Sequence, residues 1–537
     1  MQPTPAQTVI PSPPALLTAS TVWGLLAARA KATPDAPLLI DGITGARLTA
    51  GQTLRAALGL AANLHGLGVK PGSVVTWQLP TGLLAFVLQL ALARLSAVQN
   101  PLISLYGAAE TEAVLRRHTP AVLVVPADGA SGIEGRARQV LSRLAAPPML
   151  LTLPDPLQDP PEPPALQHAD PAPLPPEPSG GEAVRWIYVT SGTTAEPKGV
   201  RHADESLLRA GLRLAQAMQA GPGDVSTIAY PIAHVGGAMT TVMLLASGGS
   251  AVLLPRYQAA EAIAAFARHG VTVTGGSTAH YQALLAEQRR QPGTRLLPRL
   301  RLLNGGGAPK PPELVAQVQR ELGCVLAHAY GMTEAPLMAA GRASHSAEQL
   351  AHSDGAVVEG MQLRIVTLDG RPAAVNEDGE IRVRGPGVFR GYTDPALDAA
   401  AFDEEGWFRT GDLGRLRTDG HLAVTGRLKD VIIRKGENIS AREVEDVLSR
   451  HPKVAAVAVI GLPDAERGER VCAVVELRDG VGPFSFTEMQ AWFEAAGVMR
   501  QKIPEQLEVV DALPRISALN KVSKTELRRR FGGEPER

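Results

Sequence analysis

Five short runs in this chain gather the residue types that polyphosphate chemistry requires. The first, Thr190-Ser-Gly-Thr-Thr-Ala-Glu-Pro-Lys-Gly199, combines hydroxyls, flexible backbone and one lysine. Residues 184–189 before it read as a buried strand. A strand opening into such a turn can direct N–H groups and hydroxyls at phosphate oxygens, with Lys198 adding positive charge. It is not the ordinary P-loop, because Pro197 precedes the lysine and Gly199 follows it. A polar surface loop has the same composition. The second run, Asn304-Gly-Gly-Gly-Ala-Pro309, follows a predicted strand at 300–303 and offers bare backbone on which a flat ring could lie; a tight turn uses the same glycines. In the third, Tyr330-Gly-Met-Thr-Glu334, a carboxylate beside a threonine can ligate magnesium on phosphate oxygens and Tyr330 can stack on a base, although a lone glutamate is more often solvated. The fourth, Trp407-Phe-Arg-Thr-Gly-Asp-Leu413, places Asp412 in a Gly-flanked turn, where it could accept both hydroxyls of a ribose or simply stabilise the turn. The fifth, Gly426-Arg-Leu-Lys-Asp-Val-Ile-Ile-Arg-Lys-Gly-Glu-Asn438, surrounds an apolar triplet with alternating charge; taken alone it reads as a salt-bridged strand.

These runs need a scaffold, and the pattern supplies one. Helices are predicted at 53–67, 83–95 and 259–269, alternating with strands at 73–79, 121–125, 250–254 and 271–274, the rhythm of a layered α/β domain. The proline-rich stretch 154–178 can continue neither a helix nor a central strand, and is read as a long excursion within one domain. After Gly355, short strands at 363–368, 379–384 and 421–425 predict a β-rich subdomain. A final α+β module follows, with helices at 441–450 and 487–494 and strands at 454–460, 470–476 and 506–510, joined near 426–430. The predicted fold is therefore α/β: a large N-terminal domain of layered α/β subdomains plus a β-rich subdomain, and a smaller α+β C-terminal domain.

Composition narrows the partners. The chain has 537 residues, 45% hydrophobic and 20% charged, which suits a multidomain globular protein. Its formal net charge is zero, so the simplest argument for nucleic acid or an anionic membrane is absent, and small molecules are expected instead. Two distant cysteines, Cys324 and Cys472, suggest neither a disulfide framework nor a zinc site, and a reducing cytoplasm fits. The proline-rich N-terminus does not read as a secretory signal. The apolar run 83–93 is too short to span a bilayer, so no integral membrane contact is expected.

In their order, the five runs resemble the AMP-forming acyl-CoA synthetase family, within the superfamily that also holds peptide-synthetase adenylation domains and beetle luciferases. The resemblance extends from about Val22 to Arg530. It implies ATP and magnesium as cofactors, a carboxylic acid converted to an acyl-adenylate with release of pyrophosphate, and coenzyme A as the acceptor thiol. It implies that Thr190, Ser191, Gly192, Thr193, Thr194 and Lys198 hold the β- and γ-phosphates. Thr333 meets the α-phosphate, Glu334 holds magnesium, Gly305, Gly306 and Tyr330 flank adenine, and Ala308 and Gly331 belong to the same cofactor site. Asp412 takes the ribose, helped by Arg427. Tyr230-Pro-Ile-Ala-His-Val-Gly-Gly237 resembles the acyl-pocket motif, with His234 beside the carboxylate. Pro514-Arg-Ile-Ser-Ala-Leu-Asn-Lys521 resembles the loop bearing the adenylation lysine, so Lys521 joins Thr193, Glu334 and His234 as the catalytic set.

By the same resemblance, residues 1–428 form the adenylate-forming domain and 429–537 a mobile domain that rotates about Lys429, with Lys435 and Gly436 lining the channel for the pantetheine arm. Ala195 and Asn520 depart from the pattern, each standing where glycine is usual. No fused carrier-protein segment is seen, which favours free coenzyme A; a stand-alone adenylation enzyme serving a separate carrier, or a silent nucleotide sensor, are the rival readings. Trp77-Gln-Leu-Pro80, Gln99-Asn-Pro101 and the glycines Gly236, Gly237, Gly275 and Gly276 resemble synthetases for medium-chain, alicyclic or steroid-derived acids. Small residues along Gly236 to Thr241 and Gly275 to Ala279 predict a roomy apolar pocket without a second cation, hence a bulky hydrophobic monocarboxylate. A homodimer is left open.

Overall fold

The computed structural model describes residues 18–127, 129, 131–154, 174–190, 197–228, 230–434, 437–464, 466–516 and 521–532. Its centre is a six-stranded sheet in the order Met149–Leu153, Val122–Pro126, Val74–Trp77, Val98–Pro101, Val184–Thr190 and Lys198–Ala203. All pairs are parallel except the last, which runs antiparallel. The proline-rich stretch, of which 155–173 lie outside the described residues, thus connects two strands of one sheet, as an excursion within one unit requires.

A second sheet joins Pro37–Asp41 to Ser250–Leu253, and a third runs Val273–Gly276, Leu302–Gly305, Val325–Met332, Ala335–Ala340 and Ala356–Val357. Between the layers lie helices such as Leu83–Arg94, buried on every side, which is why its sequence is apolar but for Gln89 and Arg94. No helix among the described residues is long and apolar enough to cross a membrane. The antiparallel sheet Gln362–Val366, Gly379–Arg384, Phe408–Leu416 and Leu422–Arg427 is the predicted β-rich subdomain.

The main core draws on apolar residues from Val22 to Leu422, whereas those from Ile432 onward form clusters of their own around the long hairpin Val454–Asp464 and Gly468–Leu477. One contact fastening the first helix, Val22–Ala32, is buried: Asp204 accepts from Val22 N–H (3.1 Å), Arg185 Nη1 (3.0 Å) and Trp186 Nε1 (2.8 Å). A carboxylate out of water needs this many partners.

Local chemistry explains where the elements differ from the sequence reading. The helix expected from residue 53 begins at Ala50 because Thr49 and Gln52 form a reciprocal cap. The strand expected at 271–274 runs Val273–Gly276, and its neighbour ends on Gly305. Gly275 therefore does not leave pocket space, since a Cβ there would stand 1.6 Å from the Asn304 carbonyl; one on Gly276 would meet the His280 ring at 2.7 Å, and one on Gly305 the Gly276 carbonyl at 1.9 Å. Backbone fills the room at Gly275 and Gly305. Gly305→Ala is expected to destabilise the fold by about 1–3 kcal/mol, since backbone must move to admit the methyl. Urea unfolding measures it, and an unchanged midpoint would refute the close approach.

Candidate functional site

The strands of several sheets position the polar residues. Thr190 and Lys198 are paired across the antiparallel edge, at the two ends of the phosphate-loop candidate. Ser191, Gly192, Thr193 and Thr194 lie outside the described residues, as do Lys435 and Gly436. Lys198 Nζ stands 5.5 Å from the centre of the Tyr392 ring. That ring is held by backbone bonds between the segment 390–393 and the lysine strand: Arg201 N–H to the Gly391 carbonyl, and Thr393 N–H to the Gly199 carbonyl.

Thr333 and Glu334 are the two turn residues of the hairpin Val325–Met332 and Ala335–Ala340. Glu334 is 7% exposed, so it is no solvated carboxylate. The Tyr392 hydroxyl donates to its Oε1 at 2.8 Å. Burial pushes the Glu334 carboxyl above its ordinary range, against the pull of the Tyr392 hydrogen bond and the Lys198 charge. Magnesium in nucleotide sites is held by one or two carboxylates together with phosphate oxygens, and a single buried carboxylate near one lysine fits that donor set. No cluster of three or more potential metal ligands occurs among the described residues.

A second constellation is built across the sheets. Tyr330 donates from its hydroxyl to Asp412 Oδ2 at 2.8 Å, and Arg427 Nε lies 3.1 Å from Oδ1. Asp412 is not in a turn, as its flanking glycine suggested. It lies inside the strand Phe408–Leu416, in register with Arg427, while Gly411 takes φ +68° just before it. The left-handed residue and the register shift that follows locally bend the strand, which is how a turn-like sequence sits in a sheet. Nearby, Tyr230 bonds both ways with Gly306, donating to its carbonyl (2.8 Å) and accepting from its N–H (3.1 Å). Ala308 and Gly331 serve packing here: the Ala308 carbonyl lies 3.0 Å from His328 Nε2, and a Cβ on Gly331 would stand 2.1 Å from the Pro336 carbonyl.

His234 caps the helix Val235–Ser247, its Nδ1 accepting from Gly236 N–H at 3.1 Å, and its ring stacks on Tyr230 with centroids 5.4 Å apart. The histidine borders a cavity of about 10 Å³ shared with Thr333, Tyr188 and Val189, room for one water and not the roomy pocket the sequence predicts. Pro101, Ile103 and Tyr106 close one wall, and Ala233 and Val235 another. No lysine or arginine is among these described lining residues. Trp77, Gln99 and Asn100 are fully buried in the sheet, and of the two segments 77–80 and 99–101 only Pro101 lines the cavity. Gln78 acts indirectly, its side-chain amide donating to the carbonyls of Ile103 (3.1 Å) and Tyr106 (3.0 Å) and so fixing the wall loop.

Three contributors were not singled out in the sequence: Tyr392, Tyr188 and His202. Tyr392 had one usable signal, an aromatic beside Gly391 in a turn-rich stretch, and the others had none. His202 Nε2 lies 2.7 Å from the Thr333 carbonyl and Nδ1 lies 2.8 Å from Ser206 Oγ. A carbonyl only accepts, so Nε2 carries the hydrogen and pins the hairpin turn. Burial lowers the ring from its ordinary 6.5 to about 4. The folded-state value is depressed, so the unfolded chain takes up the proton first. Stability is present above pH 6.5 and lost as pH falls to about 4, by roughly 3 kcal/mol from this residue. His202→Gln is expected to flatten the dependence of urea unfolding on pH across that window; parallel slopes would exclude His202 as the source.

The comparisons with known proteins bear on what the assembly is. Residues 26–393 match the family described as AMP-binding enzyme, and residues 443–519 match the AMP-binding enzyme C-terminal domain. The chain belongs to the AMP-binding enzyme family. It is an acid–thiol ligase of the AMP-forming acyl-CoA synthetase type. A salicyl-AMP ligase / salicyl-S-ArCP synthetase of Mycobacterium tuberculosis is 34% identical over 490 residues, covering 88% of this chain and 83% of that one. A medium-chain fatty-acid–CoA ligase of Escherichia coli is 30% identical over 517 residues, covering 93% and 88%. Among solved structures, ATP-bound MatB from Rhodopseudomonas palustris superposes with a TM-score of 0.84 at 26% identity, over 96% of this chain and 99% of that one. This AMP-binding enzyme therefore has the two-part architecture of adenylate-forming enzymes, a large N-terminal and a small C-terminal domain.

Proposed function

We propose that this enzyme activates an apolar-bodied monocarboxylate with ATP, forming an acyl-adenylate and pyrophosphate, and then transfers the acyl group to coenzyme A. The observation that carries the proposal is the convergence of three groups in one region: Glu334 with Tyr392 and Lys198, Asp412 between Tyr330 and Arg427, and His234 sharing a cavity with Thr333. In this reading Asp412 and Arg427 hold the ribose, Gly305 and Gly306 flank adenine, and the loop from Thr190 to Lys198 grips the β- and γ-phosphates. Magnesium held by Glu334 supplies positive charge to phosphate oxygens when bound.

The chemistry asks for cations rather than a base. A carboxylate is already a nucleophile at neutral pH, but it and the triphosphate repel each other. Lys198 steadies the leaving pyrophosphate, and Lys521 bridges the reacting pair. His234 lies where it can orient the acid at the cavity mouth. The product is a mixed anhydride that water destroys, so the site must close for the first step and reopen for a thiol. We assign residues 1–428 to the part that binds ATP and acid and 429–537 to the part that turns about Lys429. Support comes from the separate apolar clusters after Ile432 and from the short 3-10 turn Leu428–Asp430 between them.

The acid is placed among bulky hydrophobic monocarboxylates on the sequence resemblance; the cavity at His234, about 10 Å³, has to open to admit such a body. Relatives acting on salicylate, ferulate and indoleacetate accord with an aryl or similarly broad body. A separate carrier protein is the second acceptor reading, favoured by the relative that forms salicyl-S-ArCP. The test is a panel of acids with ATP, scored for acid-dependent pyrophosphate and AMP, with and without coenzyme A. Thioester formation is expected; ADP as the nucleotide product, or no acid-dependent pyrophosphate, would overturn the proposal.

A further inference from the structure

We propose that Lys310 is a positioning residue for the nucleotide, holding the adenine loop at a fixed spacing from the strand that carries the ribose pair. This rests on the reading above, in which Gly305 and Gly306 flank adenine while Asp412 and Arg427 hold the ribose. Lys310 directly follows the glycine run 304–309 and is 6% exposed. Its Nζ donates to two backbone carbonyls, Ala351 at 3.0 Å and Ser353 at 3.0 Å, at the C-terminal end of the helix Ala347–His352. The residues that follow this helix are tied to the ribose side. Asp354 N–H donates to the Leu422 carbonyl (2.7 Å), Leu422 N–H donates to the Gly355 carbonyl (2.9 Å), and Asp354 Oδ2 accepts from Val424 N–H at 2.9 Å. Leu422 and Val424 belong to the strand Leu422–Arg427, whose last residue lies in register with Asp412. A line of hydrogen bonds therefore runs from the adenine loop, through Lys310, to the strand that ends on Arg427.

Other side chains fasten the loop in the opposite direction, to the α/β layers. Asn304 Nδ2 donates to the Ala327 carbonyl (2.8 Å), Thr278 Oγ1 to the Pro309 carbonyl (2.6 Å) and His328 Nε2 to the Ala308 carbonyl (3.0 Å), beside the two bonds between Tyr230 and Gly306. Lys310 is thus the side chain that reaches from the loop toward the β-rich subdomain. It is a costly way to fill the place. Burial pushes its ammonium from 10.5 down to about 8, with Asp354 opposing that shift and Arg442 of the C-terminal module adding to it. A methionine has similar length and is buried without a charge to desolvate. What the lysine adds is two fixed bonds to a neighbouring subdomain. A cation on the last carbonyls of a helix also stabilises that helix, a role that touches folding and leaves nucleotide selectivity alone.

The experiment measures acid-dependent nucleotide–pyrophosphate exchange by the full-length parent and Lys310→Met, with ATP and with 2′-deoxy-ATP, together with the melting temperature of each protein. Lys310→Met is expected to raise the KM for ATP about tenfold while kcat and the KM for the acid stay within a few-fold of the parent. Once loop and strand are no longer held in step, a nucleotide can satisfy adenine or ribose contacts but not both together. Losing a ribose hydroxyl then matters less, and the preference for ATP over 2′-deoxy-ATP is expected to shrink by about threefold or more. Lys310→Gln keeps a donor but is too short to span both carbonyls; it is expected to show the same signature, and serves alone if Lys310→Met does not fold. An unchanged KM for ATP overturns the proposal. So does a raised KM with the preference for ATP intact, or an equal loss for ATP and acid with a lower melting temperature, which makes Lys310 a helix cap only. A parent that shows no acid-dependent exchange fails the underlying reading instead, and is seen before any variant is compared.

Discussion

Lys521→Ala is expected to lower adenylate formation by about 10²–10³-fold while leaving thioester formation from a supplied acyl-adenylate within a few-fold of the parent. The size follows from the charges. Two like unit charges brought to about 4 Å at the effective dielectric near a protein surface repel by roughly 4 kcal/mol, and a bridging ammonium removes much of that. Once the anhydride exists, no such repulsion remains and the lysine has no further task. The backbone at Lys521 pairs with Ile516 in the small ladder formed by Arg515–Ile516 and Lys521–Val522. The helix Lys524–Phe531 follows directly, and its Lys524 and Arg528 face Asp430, beside Lys429, at 3.9 and 3.1 Å. These contacts tie the helix after Lys521 to Asp430, next to the proposed pivot at Lys429. ATP–pyrophosphate exchange reports the first half-reaction and thioester yield from synthetic adenylate the second. Equal losses in both, or no loss in the first, would remove Lys521 from this role.

The elements were legible in the sequence because their causes are local. The pattern of apolar residues located the helix Ala259–His269 and the strands Gly379–Arg384 and Gln506–Val510 to the residue. Turn chemistry was misleading where tertiary pairing overrode it. Gly411 before Asp412 signals a turn in isolation, but the strand accommodates it as an irregularity opposite Arg427. The glycines at 275 and 276 looked like pocket space, since sequence cannot say whether the space a glycine leaves is filled by ligand or by another strand.

The candidate site was legible only in part, for a related reason. Its charged members stand in recognisable runs, yet the groups that tune them come from elsewhere in the chain. Glu334 is adjusted by Tyr392, 58 residues away, and the Thr333 carbonyl is pinned by His202 from 131 residues away. Such partners are fixed by which strands lie side by side. The edge strand Lys198–Ala203 brings Lys198 and His202 to the hairpin turn at once, so one pairing choice positions both a cation and the residue that holds Thr333.

Glu334→Gln separates catalysis from folding at this turn, and is expected to cost about 10²–10³-fold in adenylation without loss of stability. Burial raises the Glu334 carboxyl above its ordinary range, so the folded state favours the protonated form more than the unfolded chain does. As pH rises through the interval between the unfolded and folded values, ionising the buried group removes stability. Glutamine keeps an oxygen for the Tyr392 hydroxyl and never ionises, so above that interval the variant is expected to be as stable as the parent or more so. Activity runs the opposite way. If Glu334 holds the cation as proposed, only its ionised form can do so, and the acid limb of adenylation is expected above the usual carboxylate range. Tyr392→Phe removes a hydrogen bond that favours the ionised form, and is expected to move that limb to still higher pH. Chemical denaturation and pH–rate profiles of the three proteins check the set. A Glu334→Gln enzyme that keeps its exchange rate would end the assignment. One that loses rate and stability together would make Glu334 a packing residue instead.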